Sequence, residues 1–320
     1  MRRASKVWLA VGIFLVIIGL GLFAAAMTAN RWDFTRLSTT EFETNIHGIS
    51  EAFHSIVVNT DTADISFVPS GDDTCKVVCQ EFSKELHAVA VEDGVLAIDA
   101  TNDREWYDYI GIHIGEPKII VYLPEREYTA LSIRESTGDV EIHRDFSFSR
   151  MEIIASTGNV ENAASATGEM KIKTSTGDIR VESVTAGTLD LSVSTGKITA
   201  ASITCDGELK LRASTGKTEL ADVKCRSLTS TGSTGDISMR NVMVDEVMSI
   251  ERNTGDIRMD RCDAAELSLE ASTGDVTGTL LSEKIFVIKT STGDVDVPET
   301  LSGGRCDITT DTGDIWIKIG

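Results

Sequence analysis

From residue 135 onward, apolar and polar residues alternate with a period of two, and a Ser-Thr-Gly-Asp phrase or close variant resets the alternation at a fixed interval. Its glycines are Gly138, Gly158, Gly177, Gly196, Gly216, Gly235, Gly255, Gly274, Gly293 and Gly313, each nineteen or twenty residues from the next. Aligned on the glycine, like falls on like. Two residues after it stand Val140, Val160, Ile179, Ile198, Thr218, Ile237, Ile257, Val276, Val295 and Ile315. Five before it stand Ile153, Ile172, Leu191, Leu211, Ser230, Ile250, Leu269, Ile288 and Ile308. A third inward column, seven after, runs through Val184, Ile203, Val223, Val242, Cys262 and Leu281. Each repeat therefore reads as strand, tight turn, strand and looser corner. Such a unit cannot bury its apolar face alone and must stack on its neighbours, so the pattern predicts an all-β solenoid with rungs about 4.8 Å apart. The glycine is expected at positive φ, where a Cβ would be strained, with Ser, Thr and Asp as turn formers around it.

Ahead of the repeats the pattern changes twice. Residues 1–6 carry Arg2, Arg3 and Lys6, and residues 7–29 then run without a charge. At about 1.5 Å per residue such a helix spans a bilayer with some tilt. A cleavable signal peptide competes with an uncleaved anchor, but the apolar run exceeds the usual signal core, which favours the anchor. The basic cluster predicts a cytoplasmic N-terminus and an extracytoplasmic remainder. Residues 30–52 are expected to form a stalk, with Trp32 and Phe34 as interfacial anchors. Residues 53–134 carry β-pattern at irregular spacing, as atypical terminal rungs do. Within them Thr60–Ile65 resembles a degenerate turn phrase with Ala63 in the glycine's place, and 102–115 interrupts as an aromatic-bearing insertion. A small separate β-sandwich is the alternative for this region; 135–320 is the regular solenoid. The final rung, ending Ile315–Gly320, has no capping segment after it, so an open edge available to a second copy is expected there.

These features resemble the bacterial putative-adhesin family, a domain-of-unknown-function group of β-strand repeat proteins with an N-terminal membrane anchor. The likeness rests on the lone N-terminal span, the Val-Tyr-Leu-Pro segment at Val121–Pro124 leading into Leu131-Ser132-Ile133, and the serial repeats. It implies a single-stranded right-handed parallel β-helix displayed at the cell envelope, with adhesin-like or envelope-stress roles. It brings no catalytic residues.

Candidate chemistry adds little to this. The residue after each glycine is Asp at most turns, uninterrupted from Asp236 through Asp256, Asp275 and Asp294 to Asp314. Carboxylates in a strip suit Ca²⁺, yet two exposed carboxylates about 5 Å apart repel by only about 0.8 kcal/mol in a water-like dielectric, so no ion is needed to hold them. Repeated turn chemistry is the simpler reading. No Walker loop, dinucleotide fingerprint or HExxH is present, and no cofactor is expected. Cys205 and Cys225 occupy one phase on adjacent rungs, where a disulfide or two thiols would fit, whereas Cys75 and Cys79 lie too far apart along one strand to bridge. Of 30 basic and 50 acidic residues, 27 and 50 follow the span, a net charge of −23 unsuited to nucleic acid. The expected function is a membrane-anchored, non-catalytic scaffold for surface adhesion, interaction or envelope stress, with an envelope protein or glycan as partner. A carbohydrate-active enzyme on the same fold and a ligand-free spacer are the alternatives.

Overall fold

The computed structural model describes residues 2–29, 31–32, 42–102 and 115–320. Phe34 and most of the 102–115 insertion lie outside the described residues. The chain opens with α1 (Arg2–Ala29), of which Val11–Ala29 is long and apolar enough to cross a membrane and is almost wholly exposed. The rest forms one continuous sheet wound into a parallel β-solenoid. In the middle of the rod each rung pairs in register with the next: Ile198 faces Thr218, Leu209 faces Leu228, Thr215 faces Thr234. Along this stretch the three inward columns form ladders, with Ile179, Ile198 and Ile237 fully buried. Stacking is what makes these short strands viable. Each interior apolar side chain contributes roughly 1.5–3 kcal/mol by leaving water, and each backbone amide finds a partner on the adjacent rung.

All ten turn glycines have φ between +128° and +152°. A second reason for glycine is proximity: a Cβ on Gly158 would fall inside the Gly138 carbonyl, and the same close approach recurs up the rod. A further corner, six residues after the glycine, uses the left-handed conformation without glycine, at Ser183, Ser202, Asp222, Asn241 and Arg261 (φ +52° to +58°). Polar side chains tolerate this region better than branched ones. Asn241 Nδ2 donates to Asp222 Oδ1 at 2.6 Å, linking two of these corners.

The ends do not follow chain order. At the N-terminal end, β2 (Ser55–Thr62) and β3 (Asp64–Pro69) form the rung that carries Ala63, whose amide bonds Thr137 O as the turn glycines bond their own neighbours. On one side it pairs with β8 (Glu127–Thr137) and β9 (Val140–Ile142) of the Gly138 rung. On its other side lie β6 (Val95–Asn102) and β7 (Lys118–Leu123), so a later segment sits outside an earlier one. Two antiparallel additions close this end. β4 (Cys75–Phe82) runs along β7 and pairs with β1 (Phe42–Ile49), while β5 (Glu85–Glu92) runs along β6. Residues 42–49 are therefore a capping strand and not stalk. Irregular spacing up to residue 134 reflects this cap, which is continuous with the rod. Stacked Phe53 and Tyr128 rings, with Phe148 beside Tyr128, fill the core behind it.

The C-terminal end mirrors the exchange. The Gly313 rung inserts between the Gly274 and Gly293 rungs: Leu267 and Phe286 both pair with Cys306, and Val276 and Val295 both pair with Ile315. Successive copies thus do not stack in simple order here, and Ile315–Ile319 is an interior strand and not an open edge. The edge expected there for a second copy belongs instead to Lys284–Thr292 and Val295–Asp296, where Ile285, Val287 and Val295 are exposed. Val295, expected inside, is 47% exposed because its rung is the outermost. Leu281, also expected inside, points out. A register shift between Met259 and Cys262 brings Leu280 opposite Cys262, and Leu280 is buried.

Candidate functional site

The most continuous surface feature is the turn edge. Along it the Asp or Asn after the glycine uses one side-chain oxygen to accept the backbone N–H of its counterpart on the next rung, except at Lys197 and Lys217, which interrupt the series. The chain of bonds starts at Asp64, whose Oδ1 accepts from Asp139 N, and passes through Asp139, Asn159 and Asp178 to the amide of Lys197 at 2.7–3.1 Å. It resumes at Asp236 and runs through Asp256 and Asp275 to Asp314, which accepts from Asp294 N at 2.8 Å. Stacked order is therefore 236, 256, 275, 314, 294, repeating the rung exchange. The Asp256 amide bond and then Arg258 hold the Asp236 carboxyl below the usual carboxylate range. One oxygen of each carboxylate except that of outermost Asp294 is thus spent on the fold, and the Thr beside each glycine lines the same edge, exposed.

All six cysteines are buried free thiols. Cys205 and Cys225 lie directly opposite each other on adjacent strands. Burial pushes the Cys225 thiol up to about 12, and Cys262 and Cys306 to about 11 and 12, which suppresses thiolate chemistry at these positions.

Two charged residues enter the core at one ladder position, three before the glycine, where Ala155, Val193, Ala213 and Ala271 stand elsewhere. Arg252 is one. Its stem lies over Gly232, and its guanidinium donates to Ser230 Oγ at 2.8 Å, Thr218 Oγ1 at 3.4 Å and Glu251 O at 2.7 Å. Thr218 and Ser230 are the polar exceptions in two aliphatic columns, and Gly232 is the small exception in a third. One side chain accounts for all three. Burial brings the Arg252 pKa down to about 10.

Glu135 is the other. Both its oxygens are buried without a hydrogen-bond partner, and burial, then Asp64 and Asp139, push its pKa up to about 8. It lines an open groove of about 400 Å³ on the N-terminal rungs, together with Asn59, Thr60, Asp61, Asp99 and Arg134. Beneath Thr60 lies a buried polar chain. Thr60 Oγ1 is 2.8 Å from His87 Nε2, His87 Nδ1 is 2.7 Å from Glu81 Oε2, and Asn45 Nδ2 donates to Glu81 Oε1 at 2.8 Å. Sequence reasoning missed both features. The outliers Glu135 and Arg252 are visible in the aligned column. The His87 contacts leave no periodic trace, because antiparallel pairing in the cap creates them.

Two stretches of the chain, 53–213 and 204–320, match the family model described as Toastrack DUF4097. Comparison with curated proteins finds no match. Among solved structures, an adhesin described as putative from Parabacteroides merdae ATCC 43184 is 13% identical, with TM-score 0.49, covering 88% of this chain and 98% of its own. One from Bacteroides fragilis NCTC 9343 is 14% identical, with TM-score 0.45, over 88% and 97%. A Parabacteroides distasonis ATCC 8503 structure described as a putative lipid binding protein is 16% identical, with TM-score 0.46, over 88% and 98%. The repeats, their ladders and the family match agree: the chain belongs to the Toastrack DUF4097 family.

Proposed function

We propose that this protein is a single-pass membrane protein with a cytoplasmic N-terminus, whose acidic solenoid serves outside the membrane as a non-catalytic surface for adhesion, interaction or envelope-stress sensing. The observation that carries this reading is the coupling of one exposed apolar helix to a rod whose faces are continuous side-chain ladders. A ladder repeats one chemical group at each rung, which suits multivalent contact with an extended partner better than capture of one small molecule. The surplus of carboxylates favours cationic partners and repels anionic headgroups, holding the rod away from the bilayer. Retention of envelope glycans or proteins by the full chain in detergent, without turnover, is the expected result.

A carbohydrate-active enzyme is the second reading. Its specific support is the groove, where Glu135, protonated below about pH 8, lies near the hydroxyl–imidazole–carboxylate chain of Thr60, His87 and Glu81. Cleavage of a retained glycan, lost in Glu135→Gln, selects that reading; neither retention nor cleavage leaves a spacer. Protease protection in right-side-out and inverted vesicles tests the orientation, with degradation of the solenoid expected only from the outer side.

A further inference from the structure

The hydrogen-bonded chain beneath Thr60 has a fourth member. Cys79 Sγ, a Glu81 carboxylate oxygen and a His87 ring nitrogen all lie within 4.8 Å of one another, the only such convergence of metal-ligating atoms among the described residues. Cys79 is fully buried, Glu81 is 1% exposed and His87 7%. Their convergence follows from the cap. Cys79 and Glu81 are two apart on β4 and face the same side, Asn45 on β1 is opposite Cys79, and β5 folds His87 back over them.

We propose that Cys79, Glu81 and His87 bind one Zn²⁺ ion that ties β4 to β5 within the antiparallel cap.

The donor chemistry selects the metal. One sulfur, one nitrogen and one carboxylate oxygen form a mixed set that suits Zn²⁺ and not the hard, oxygen-seeking Ca²⁺ or Mg²⁺. Tetrahedral Zn²⁺ with bonds of about 2.0–2.3 Å needs donors about 3.5 Å apart, so the 2.7 Å hydrogen bond between His87 Nδ1 and Glu81 Oε2 gives way and that pair opens, while donors up to 4.8 Å apart draw in. Charge favours occupation: a thiolate and a carboxylate cancel the dication, leaving a neutral buried centre. Outer contacts are in place. Asn45 Nδ2 donates to Glu81 Oε1 at 2.8 Å, and Thr60 Oγ1 lies 2.8 Å from His87 Nε2 and holds the ring from its far side.

The test is a Co²⁺ titration of the metal-stripped full-length chain in detergent, followed by Zn²⁺. The expected result is one Co²⁺ per chain with a tetrahedral, thiolate-bearing absorption that Zn²⁺ displaces. Cys79→Ser abolishes that spectrum, Cys225→Ser keeps it, and Asn45→Ala weakens Zn²⁺ binding by about 10–100-fold. X-ray absorption on the Zn²⁺-loaded wild type provides a readout independent of variant folding, with one sulfur at about 2.3 Å expected. No saturable binding, a spectrum of oxygen ligands alone, a signal that survives in Cys79→Ser, or a zinc shell without sulfur would each overturn the assignment and leave these residues as a hydrogen-bonded strut.

Discussion

In the middle of the rod, from the Gly158 rung to the Gly255 rung, sequence order and stacking order coincide. At both ends they do not. The N-terminal cap places β6 and β7 outside β2 and β3, and the C-terminal end slips the Gly313 rung inside the Gly293 rung. The contrast shows what a repeat encodes. Identical columns specify that rungs stack but not which follows which, because every copy offers the same ladder to its neighbours. Order in the middle comes from the short connection between consecutive rungs. At the ends an outer rung has one neighbour only, and exchange places a later or earlier strand across the boundary. The last rung in sequence, at Gly313, is thereby held on both sides, by the Gly274 and Gly293 rungs, which limits fraying in a quasi-one-dimensional fold.

The same lesson appears within one column. Arg252 and Glu135 occupy equivalent positions, but the strand stacked on Arg252 carries Thr218, Ser230 and Gly232, which receive its side chain, while nothing around Glu135 bonds its oxygens. A buried polar group with partners is tolerated; one without them shifts its protonation.

The largest effect should come from a turn glycine in the middle. Gly196→Ala must accommodate a Cβ at φ +146° against the Gly177 carbonyl, and we expect a loss of about 3 kcal/mol or more by urea unfolding, or no folded protein. Next, Arg252→Ala strands the Ser230 and Thr218 hydroxyls and opens space beside Gly232, costing about 2–4 kcal/mol. Combining it with Ser230→Ile, Thr218→Val and Gly232→Ala should recover most of that loss, and a purely additive result would refute the compensation.

Glu135 gives a pH signature. Its folded pKa, about 8, is above its ordinary value of 4.5, so its favourable contribution is complete below about pH 4.5 and disappears as pH rises through about 8. Relative to Glu135→Ala, wild type should lose on the order of a few kcal/mol across that window; parallel stability–pH curves for the two would exclude the shift. Smallest is the turn ladder. Asp256→Ala removes one acceptor for an exposed amide and should cost about 1 kcal/mol, while Ca²⁺ leaves the thermal midpoint unchanged. A calcium-dependent rise lost in Asp256→Ala would restore the strip from Asp236 to Asp314 as a metal site.

The stacked ladders, the degenerate turn at Ala63 and the apolar helix were legible because each rests on local period or composition. Rung exchange was not, since Val295 and Ile315 carry the same pattern, and only pairing distinguishes the outer from the inner. Nor was the left-handed corner, because Ser183, Asp222 and Arg261 share no residue type. The cap was hidden because Phe42–Ile49 and Cys75–Phe82 pair antiparallel, from Phe42 with Phe82 to Ile49 with Cys75, with no repeat to announce them. Cys79, Glu81 and His87 meet because the turn between β4 and β5 folds His87 back onto Glu81, a reversal that no repeat announces.

The exchange at the C-terminal end has one direct test. In a chain with its native cysteines replaced, cysteine pairs are introduced at Thr277 with Trp316, and at Thr277 with Asp296. Trp316 pairs with both Thr277 and Asp296, so the account predicts rapid oxidation of the 277–316 pair and none of the 277–296 pair, which a full rung separates. Cross-linking of 277 to 296, with 277–316 remaining reduced, would show rungs stacked in chain order and contradict the closure described here.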